Sequence, residues 1–262
     1  MVLPTGCSVR DHPEFLNDKS QTILAHPLCE GTHMQLRTAT RSVRPLNVAV
    51  AEGESLPAIH LFAGCPELVG SPFTYARDEE IYGEGEEAEY VYKIVSGAVR
   101  SCKILSDGRR QINGFYLPGD LFGFEQGDMH RLTAEAVVDT KVIMFRRRQI
   151  ERLATGNVDV ACQLWSLTAK SLQHAEAHTI LLGRCTALER VAAFIMEMDA
   201  RGGRTGFIEL PMSRHDIGDY LGLTLETVSR SISQLQRGRA MALSGARRLV
   251  LDRPLMNTMV ED

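Results

Sequence analysis

Residues 213–237, SRHDIGDYLGLTLETVSRSISQLQR, contain the side chains most suited to specific chemistry in this chain. In a helix that begins after Thr224, the residues Glu226, Ser229 and Arg230 share one face. A carboxylate can accept a hydrogen bond from the amino group of cytosine, and a guanidinium can donate two to guanine O6 and N7. Serine can contact a base or a phosphate. These three side chains are therefore candidates for contact with DNA base edges.

A first short helix must precede and support that second helix. Ser213 followed by Asp216 resembles a capping box, with aspartate in place of the usual glutamate. Gly218 is small where two helices must cross closely, and Gly222 can adopt positive φ and end the first helix sharply. The pattern predicts a helix over residues 214–221 followed by a tight turn.

The second helix is predicted from its cap and its apolar period. Thr224 is a suitable N-cap, and Val228, Ile232 and Leu235 recur at the spacing of one buried helical face. Together the two helices have helix-turn-helix spacing, in which the second helix enters the DNA major groove. The alternative is an unrelated helical pair whose polar face is only solvated. The arginines that follow over residues 228–248, among which there is no acidic residue, favour the DNA-binding interpretation.

Residues 241–253, MALSGARRLVLDR, alternate around Gly245 and predict a β-hairpin, the wing of a winged helix. Arginines near its tip would suit phosphates, which position a protein on DNA without specifying sequence. The side chains that we expect to position the domain on DNA are Thr224, Leu225, Ser233, Arg237, Arg247 and Arg248.

The charge distribution supports a local DNA-binding surface on an acidic protein. The 262 residues carry a net charge of -4, which argues against a general polyanion binder. Residues 184–262 nevertheless contain 11 arginines against 10 acids, and residues 228–248 contain five arginines and no acid. A basic stripe confined to one region is what localised nucleic-acid contact requires.

Residues 158–182 predict a long helix with a heptad seam whose members step alternately by four and three residues. This spacing favours a homodimer in which the seams of two copies pack together. The alternative is a monomer in which the helix is buried on both faces. The seam comprises Ala161, Trp165, Thr168, Leu172, Ala175, Thr179 and Leu182.

Before the helix, the chain predicts a β domain. Strand-forming segments and turns recur over residues 46–147, including a hairpin signal at Asp107 and Gly108, and indicate an antiparallel β-roll. Residues 1–45 are proline-containing without an apolar period, so we expect a flexible extension. The predicted fold is α+β: the extension, the roll over 46–147, the dimerisation helix over 148–183 and the winged helix over 184–262.

The predicted architecture resembles the CRP/FNR family of transcription regulators. Within that family, IYGEGEEAEYVYKIVSGAVR (81–100) and DIGDYLGLTLETVSR (216–230) are similar to the FixK subgroup. The resemblance covers residues 60–253, and the second stretch is the more specific. It implies a homodimeric activator on double-stranded DNA at a TTGA-type palindrome, in contact with RNA polymerase, controlling genes for microoxic respiration or nitrogen fixation.

The resemblance raises the question of a sensor, and the sequence predicts no cofactor. The FNR branch holds an iron–sulfur cluster with closely spaced cysteines, but the cysteines here are scattered and contain no C-x-x-C motif. Cys102 is expected to be a buried strand residue. The scatter also indicates free thiols in a cytoplasmic protein. The six cysteines are Cys7, Cys29, Cys65, Cys102, Cys162 and Cys185.

Other ligand signatures are incomplete. GFEQGDMHRLTAEA (123–136) keeps Arg131 but lacks the Gly-Glu pair of the cyclic-AMP branch, so we expect Arg131 at the surface. His130, His174 and His178 are weak candidates for haem or metal, and the last two are expected on a polar helix face. The acidic residues 78–89 lack EF-hand spacing and predict a solvated loop. An effector-gated regulator, with a small ligand, haem or redox signal in the roll, remains the alternative.

Two further classes have no sequence support. The chain contains no nucleophile elbow, P-loop or HExxH motif, so we do not expect an enzyme. It also contains no apolar run of membrane-helix length, and its first residues do not resemble a secretory signal. We therefore expect a cytoplasmic protein without membrane contact.

The absence of these signatures predicts the behaviour of the purified chain. Aerobically purified protein should be colourless and should bind DNA without cyclic AMP, because the chain lacks a recognisable cluster, haem or cyclic-nucleotide motif. Visible absorbance spectra and a gel-shift titration check this. A haem or iron–sulfur absorbance band, or a requirement for cyclic AMP, would contradict it.

Overall fold

The computed structural model describes residues 68–184, 186–244 and 248–258, which all belong to the unit Val50–Asp262. The predicted extension, Arg247 and the cysteines Cys7, Cys29, Cys65 and Cys185 lie outside the described residues. None of the described helices is both long enough and apolar enough to cross a membrane.

The roll consists of two four-stranded antiparallel sheets, so the predicted antiparallel β-roll is confirmed. The strand orders are β1-β8-β3-β6 and β2-β7-β4-β5. Buried side chains from both sheets, among them Tyr82, Tyr92 and Phe122, pack between them. The strands are β1 (Ser71–Tyr75), β2 (Glu80–Tyr82), β3 (Tyr90–Ser96), β4 (Val99–Ile104), β5 (Arg110–Tyr116), β6 (Leu121–Phe122), β7 (Thr133–Ala136) and β8 (Thr140–Arg146).

The hairpin predicted at Asp107 and Gly108 joins β4 to β5. Gly108 has φ 83°, and the Leu105 N–H donates to the Arg109 carbonyl at 2.8 Å. The prediction of a solvated loop over 78–89 is wrong in part, because β2 lies inside it and pairs with β7. Tyr82 is buried there, and its contribution to the core outweighs the surrounding acidic pattern.

Two helices follow the roll, α1 (Arg147–Gly156) and α2 (Val158–Arg184). The sequence predicts the long helix over 158–182 and assigns 148–183 to one dimerisation helix, and the division into two helices was not predicted. Val160 is buried on one face of α2 against Ile150 of α1 and the strand residues Val91 and Phe145. This face fastens the start of α2 to its own roll.

The opposite face of α2 has no cover in the single chain. Trp165 is 77% exposed and Leu172 is 60% exposed, and both belong to the predicted seam. The other seam residues are also exposed, except for half-buried Leu182. Large apolar side chains in a row along one helix mark a surface for association.

The C-terminal part has the winged-helix order of elements. Its sheet has the order β10-β11-β9, which confirms the predicted hairpin as the β10–β11 pair. The capping box of Thr186 and Glu189 starts its first helix. The elements are α3 (Ala187–Arg201), β9 (Ile208–Glu209), α4 (Arg214–Leu221), α5 (Leu225–Arg237), β10 (Met241–Leu243), β11 (Arg248–Leu251) and α6 (Arg253–Thr258).

One hydrophobic core is shared by the roll and the C-terminal part. Phe115 of β5 packs on Phe194 of α3 and Tyr220 of α4, with ring centroids 6.0 and 5.4 Å apart. Cys102 and Ile112 of the roll belong to the same buried cluster. The hydrophobic contacts therefore hold the C-terminal helices against strands of the roll.

The turn between α4 and α5 forms as the sequence predicts. Gly222 has φ 65° and caps α4, and a Cβ atom on Gly218 would lie 2.6 Å from the Leu223 carbonyl oxygen. Only glycine at 218 permits this close approach of backbone.

This contact yields a stability prediction. Gly218→Ala should lower the free energy of unfolding by about 1–3 kcal/mol, because the new methyl group must displace backbone. Denaturant unfolding followed by circular dichroism measures it. Gly156→Ala at the end of α1, where nothing lies within 4 Å, is the matched control and should be nearly neutral. Equal stability of the two variants would contradict the close crossing.

Candidate DNA-binding surface

Helix α5 separates its buried and exposed faces as predicted. Val228, Ile232 and Leu235 are at most 4% exposed and fix the helix on the core. Glu226 and Arg230 lie on the exposed face. The apolar stripe therefore determines which side chains are presented outward.

The side chains of Glu226 and Arg230 are exposed in the first two turns of α5. Hydrogen bonds from the Glu226 backbone and the Thr224 hydroxyl hold the pKa of Glu226 below its usual range, with a smaller effect from Arg230. The carboxylate is thus an acceptor at neutral pH. An ionised acceptor beside an arginine donor has the complementarity that a C·G base pair requires.

Ser229, a predicted base-contacting residue, already has a hydrogen-bond partner on α4. It is half-buried, and Arg214 Nη1 of α4 lies 3.4 Å from its Oγ as a donor. Arg214 is exposed and was not predicted as part of the site. Its position in the first turn of α4 could have suggested it, since this turn faces the next helix. Arg214 adds a cation beside the predicted base-contacting residues.

The predicted positioning residues of α5 already make local hydrogen bonds. The Thr224 hydroxyl accepts from the Thr227 N–H at 3.2 Å and so caps the helix. The Ser233 hydroxyl donates to the Ser229 carbonyl at 2.9 Å, so a phosphate contact by its hydrogen requires a rotation. Leu225 is exposed beside them, and Arg237 Nε is 3.4 Å from the Ser233 carbonyl oxygen.

Arg248 at the start of β11 stacks on an aromatic ring. Its guanidinium carbon lies 3.9 Å from the centroid of the Phe207 ring, an arrangement that sequence periodicity did not predict. A guanidinium over an aromatic face has its N–H groups in its own plane, from which they can still donate outward. Phe207 therefore holds the exposed Arg248 in place at the surface.

His174 and His178 of α2 are not a simple polar face, so that prediction is wrong. The His178 ring stacks on Tyr220 of α4 with centroids 4.1 Å apart, and His174 Nε2 lies 3.2 Å from the Tyr220 hydroxyl. Burial, and secondarily His174, lowers the pKa of His178. Tyr220, which is distant in sequence, packs against these two histidines, so they contribute to packing between α2 and α4.

In the roll, the residues considered for ligands have structural partners. Cys102 is buried, which raises the pKa of its thiol to about 11, so its prediction as a buried strand residue is confirmed. Arg131 has an 82% exposed side chain and pairs with Glu125, as expected of a surface residue. His130 is buried and stacks on Tyr82 at 3.6 Å. Within the described ranges, no three His, Cys, Asp or Glu side chains are grouped to hold a metal ion.

Comparison with known proteins divides the chain as the fold does. Residues 72–157 match the model of the cyclic nucleotide-binding domain, and residues 189–258 match that of the Crp-like helix-turn-helix domain. The first region is the roll with α1, and the second contains α4 and α5. Both parts of the architecture thus have known counterparts.

Similar proteins include two nitrogen fixation regulation proteins FixK. The Azorhizobium caulinodans protein is 39% identical over 87% of this chain and 88% of its own length. The Rhizobium meliloti protein is 39% identical over 79% and 94%, respectively. The structure of FixK2 from Bradyrhizobium japonicum is 58% identical, has a TM-score of 0.70 and is matched over 72% of this chain and 97% of that one.

Two arginines of the surface should respond differently to truncation. Arg230→Ala should cost about 1–3 kcal/mol per half-site and relax the preference at one base pair, because a bidentate guanine contact is lost. Arg248→Ala should weaken all sequences about equally and flatten the salt dependence. Neither side chain belongs to the buried face of α5, so folding should survive both changes.

Affinity for a palindrome and its single-base variants at two salt concentrations separates the two roles. The unchanged chain and circular dichroism of each variant serve as controls. A uniform loss for Arg230→Ala together with altered base preference for Arg248→Ala would reverse the assignment.

Proposed function

The chain belongs to the FixK group of the CRP/FNR family of transcription regulators, and we propose that it activates transcription as a homodimer on palindromic DNA. The observation that carries the proposal is the exposed face of α5. There an ionised Glu226 and an unburied Arg230 stand beside Ser229, with the buried face held by Val228. This is the donor and acceptor set that major-groove recognition uses.

We propose that some side chains contact the bases of each half-site and others contact its phosphates. Glu226 accepts from a cytosine amino group and Arg230 donates to guanine, and these contacts specify a TTGA-type half-site. Arg248 on Phe207 and Arg237 at the end of α5 contact phosphates and fix the register. Thr224, Leu225 and Ser233 lie at the edge of the same surface, and Arg247 is assigned the same role from sequence alone.

Dimerisation through α2 supplies the second half-site. Support comes from Trp165 and Leu172 of the seam, which are both more than half exposed in the single chain. Burying such side chains between two copies removes apolar surface from water. A palindrome then matches the two-fold symmetry of the dimer.

The proposed physiological role is inferred from the similar FixK proteins, which are nitrogen fixation regulation proteins. Since those proteins regulate nitrogen fixation, we propose target genes of nitrogen fixation or microoxic respiration, activated together with RNA polymerase in the cytoplasm. We also propose the division into an extension (1–45), roll (46–147), dimerisation helix (148–183) and winged helix (184–262). In this proposal the roll binds no cofactor and catalyses no reaction.

The aromatic interior of the roll favours this over the effector-gated alternative. Tyr82, Tyr92, Tyr116 and Phe122 pack ring against ring, with centroid distances of 5.0 to 6.1 Å. His130 extends the stack on Tyr82. Side chains of the chain itself thus occupy space between the sheets.

A gel shift with purified, metal-free full chain tests the proposal. The chain should bind a TTGA-type palindrome without additive and should bind a scrambled duplex of equal length far more weakly. Equal affinity for both duplexes would contradict sequence-specific regulation. Dependence of binding on an added nucleotide would support the effector-gated alternative instead.

The dimer seam yields a separate prediction. Leu172→Glu should produce monomers and abolish palindrome binding, because two buried carboxylates would face each other at the seam. Ala177→Glu, which introduces the same charge on an exposed part of α2 outside the seam, is the matched control. Analytical ultracentrifugation checks both. An intact Leu172→Glu dimer would show that the seam is assigned incorrectly.

A further inference from the structure

A cluster of charged side chains joins the roll to the helix that supports α5. Its cations are Arg100 of β4 and Arg110 of β5, and its acceptors on α4 are Asp216 and Asp219. We call these four residues the roll–α4 cluster. Arg100 is buried, and the other three side chains are less than a quarter exposed. The cluster is therefore shielded from solvent, where charge interactions are less screened than at the surface.

The distances show that Asp216 is the centre of the cluster. Its Oδ1 atom lies 2.6 Å from Arg110 Nη2 and 3.3 Å from Arg100 Nη1. Arg110 also reaches Asp219 Oδ2 at 2.8 Å, and Arg100 reaches Glu135 of β7 at 2.7 Å. Arg100 also pairs with Asp78 at 3.1 Å, and Arg110 lies 3.8 Å from Glu135, so each guanidinium bridges three acidic partners.

Asp216 also belongs to the fold of the winged helix itself. Its Oδ2 atom accepts from the Ser213 N–H at 3.0 Å and from the Ser213 hydroxyl at 2.7 Å, which caps α4. Burial favours the neutral acid, but the bonds from Ser213 and the two arginines hold the pKa of Asp216 below its usual range. One carboxylate thus starts α4 and ties it to the roll.

Fixing α4 also fixes α5. The backbone of the turn that leads into α5 lies against Gly218 without room for a Cβ atom, and Gly222 sets the sharp bend at the end of α4. The buried face of α5 packs on the same core. A contact that fixes α4 against the roll therefore also places α5.

The winged helix is also joined to α2 along the chain. Helix α2 ends at Arg184 and α3 begins at Ala187, so a short link leads from the dimerisation helix to the winged helix. In a dimer, two recognition helices must lie about 34 Å apart to enter successive major grooves on one side of the duplex. Lateral contacts are needed to hold that separation.

Buried ion pairs contribute little to stability, because removing both charges from water is costly. Only well-aligned hydrogen bonds between the charged groups compensate for this cost, so such pairs require a defined geometry. We propose that Arg100 and Arg110 are positioning residues for DNA recognition, which hold α5 through α4 at the half-site separation of the palindrome. The inference rests on the proposed function, since it assumes a dimer that binds two half-sites. It assigns to the roll a role in DNA recognition that needs no ligand.

The experiment measures how affinity depends on the spacing between half-sites. Full-length Arg110→Glu is titrated with palindromes of the parental spacer and of spacers two base pairs shorter and longer, and with a single half-site. Arg109→Glu is the matched control, because it lies in the same hairpin, changes the charge equally and pairs only with Asp107 of its own turn in the described structure. The double variant Arg110→Glu with Asp219→Arg restores opposite charges between positions 110 and 219, while position 110 still faces Asp216.

We expect Arg110→Glu to lose about tenfold or more in affinity for the parental spacer, because simultaneous engagement of two sites depends on geometry. Its affinity for a single half-site should equal that of Arg109→Glu, and its preference for the parental spacer should shrink. The double variant should recover that preference. If circular dichroism shows that Arg110→Glu is unfolded, Arg110→Met is compared with Arg109→Glu in its place, because methionine keeps an aliphatic side chain at this position.

Three results would overturn the proposal: identical spacer preference in Arg110→Glu and Arg109→Glu, an equal loss on all duplexes including the half-site, or no recovery in the double variant. A failure of the proposed function would look different. In that case the parental chain itself would not distinguish the palindrome from a scrambled duplex.

Discussion

The carboxylate of Asp216 is the contact on which the arrangement of this molecule depends. It caps the first helix of the helix-turn-helix through Ser213 and accepts hydrogen bonds from Arg100 and Arg110 of the roll. Desolvation of a carboxylate is costly unless its lone pairs are satisfied by donors, and here four donors surround it, two from Ser213 and one from each arginine. Local helix capping and the contact between the roll and the winged helix are therefore one interaction.

This linkage explains how the β-roll can orient the helices that carry the candidate DNA-binding surface. Phe115 packs on Phe194 and Tyr220, while His174 and His178 reach Tyr220 from α2. Tyr220 is thus contacted by the roll, by α3 and by α2. The helix that precedes α5 is held from three sides by aromatic and ionic contacts, and the exposed face of α5 is presented in a defined direction.

Local chemistry made much of the winged helix predictable. The cap at Ser213, positive φ at Gly222 and the apolar period of α5 each concern residues within a few positions of one another, so sequence reveals them. The long-range contacts could not be found in this way. Arg100 and Asp216 are 116 positions apart, and no periodic pattern relates them. Short strands such as β6 (Leu121–Phe122) depend on pairing with β3 rather than on their own composition.

The central claim is that α5 is held in its DNA-binding orientation before DNA arrives. Double electron–electron resonance between two copies of the chain tests it, with a spin label at Gln234→Cys on the exposed side of α5 and the six native cysteines replaced. The account predicts a narrow distance distribution in the free dimer that stays at the same position when the palindrome is added. A broad distribution that narrows or moves only on DNA binding would contradict it.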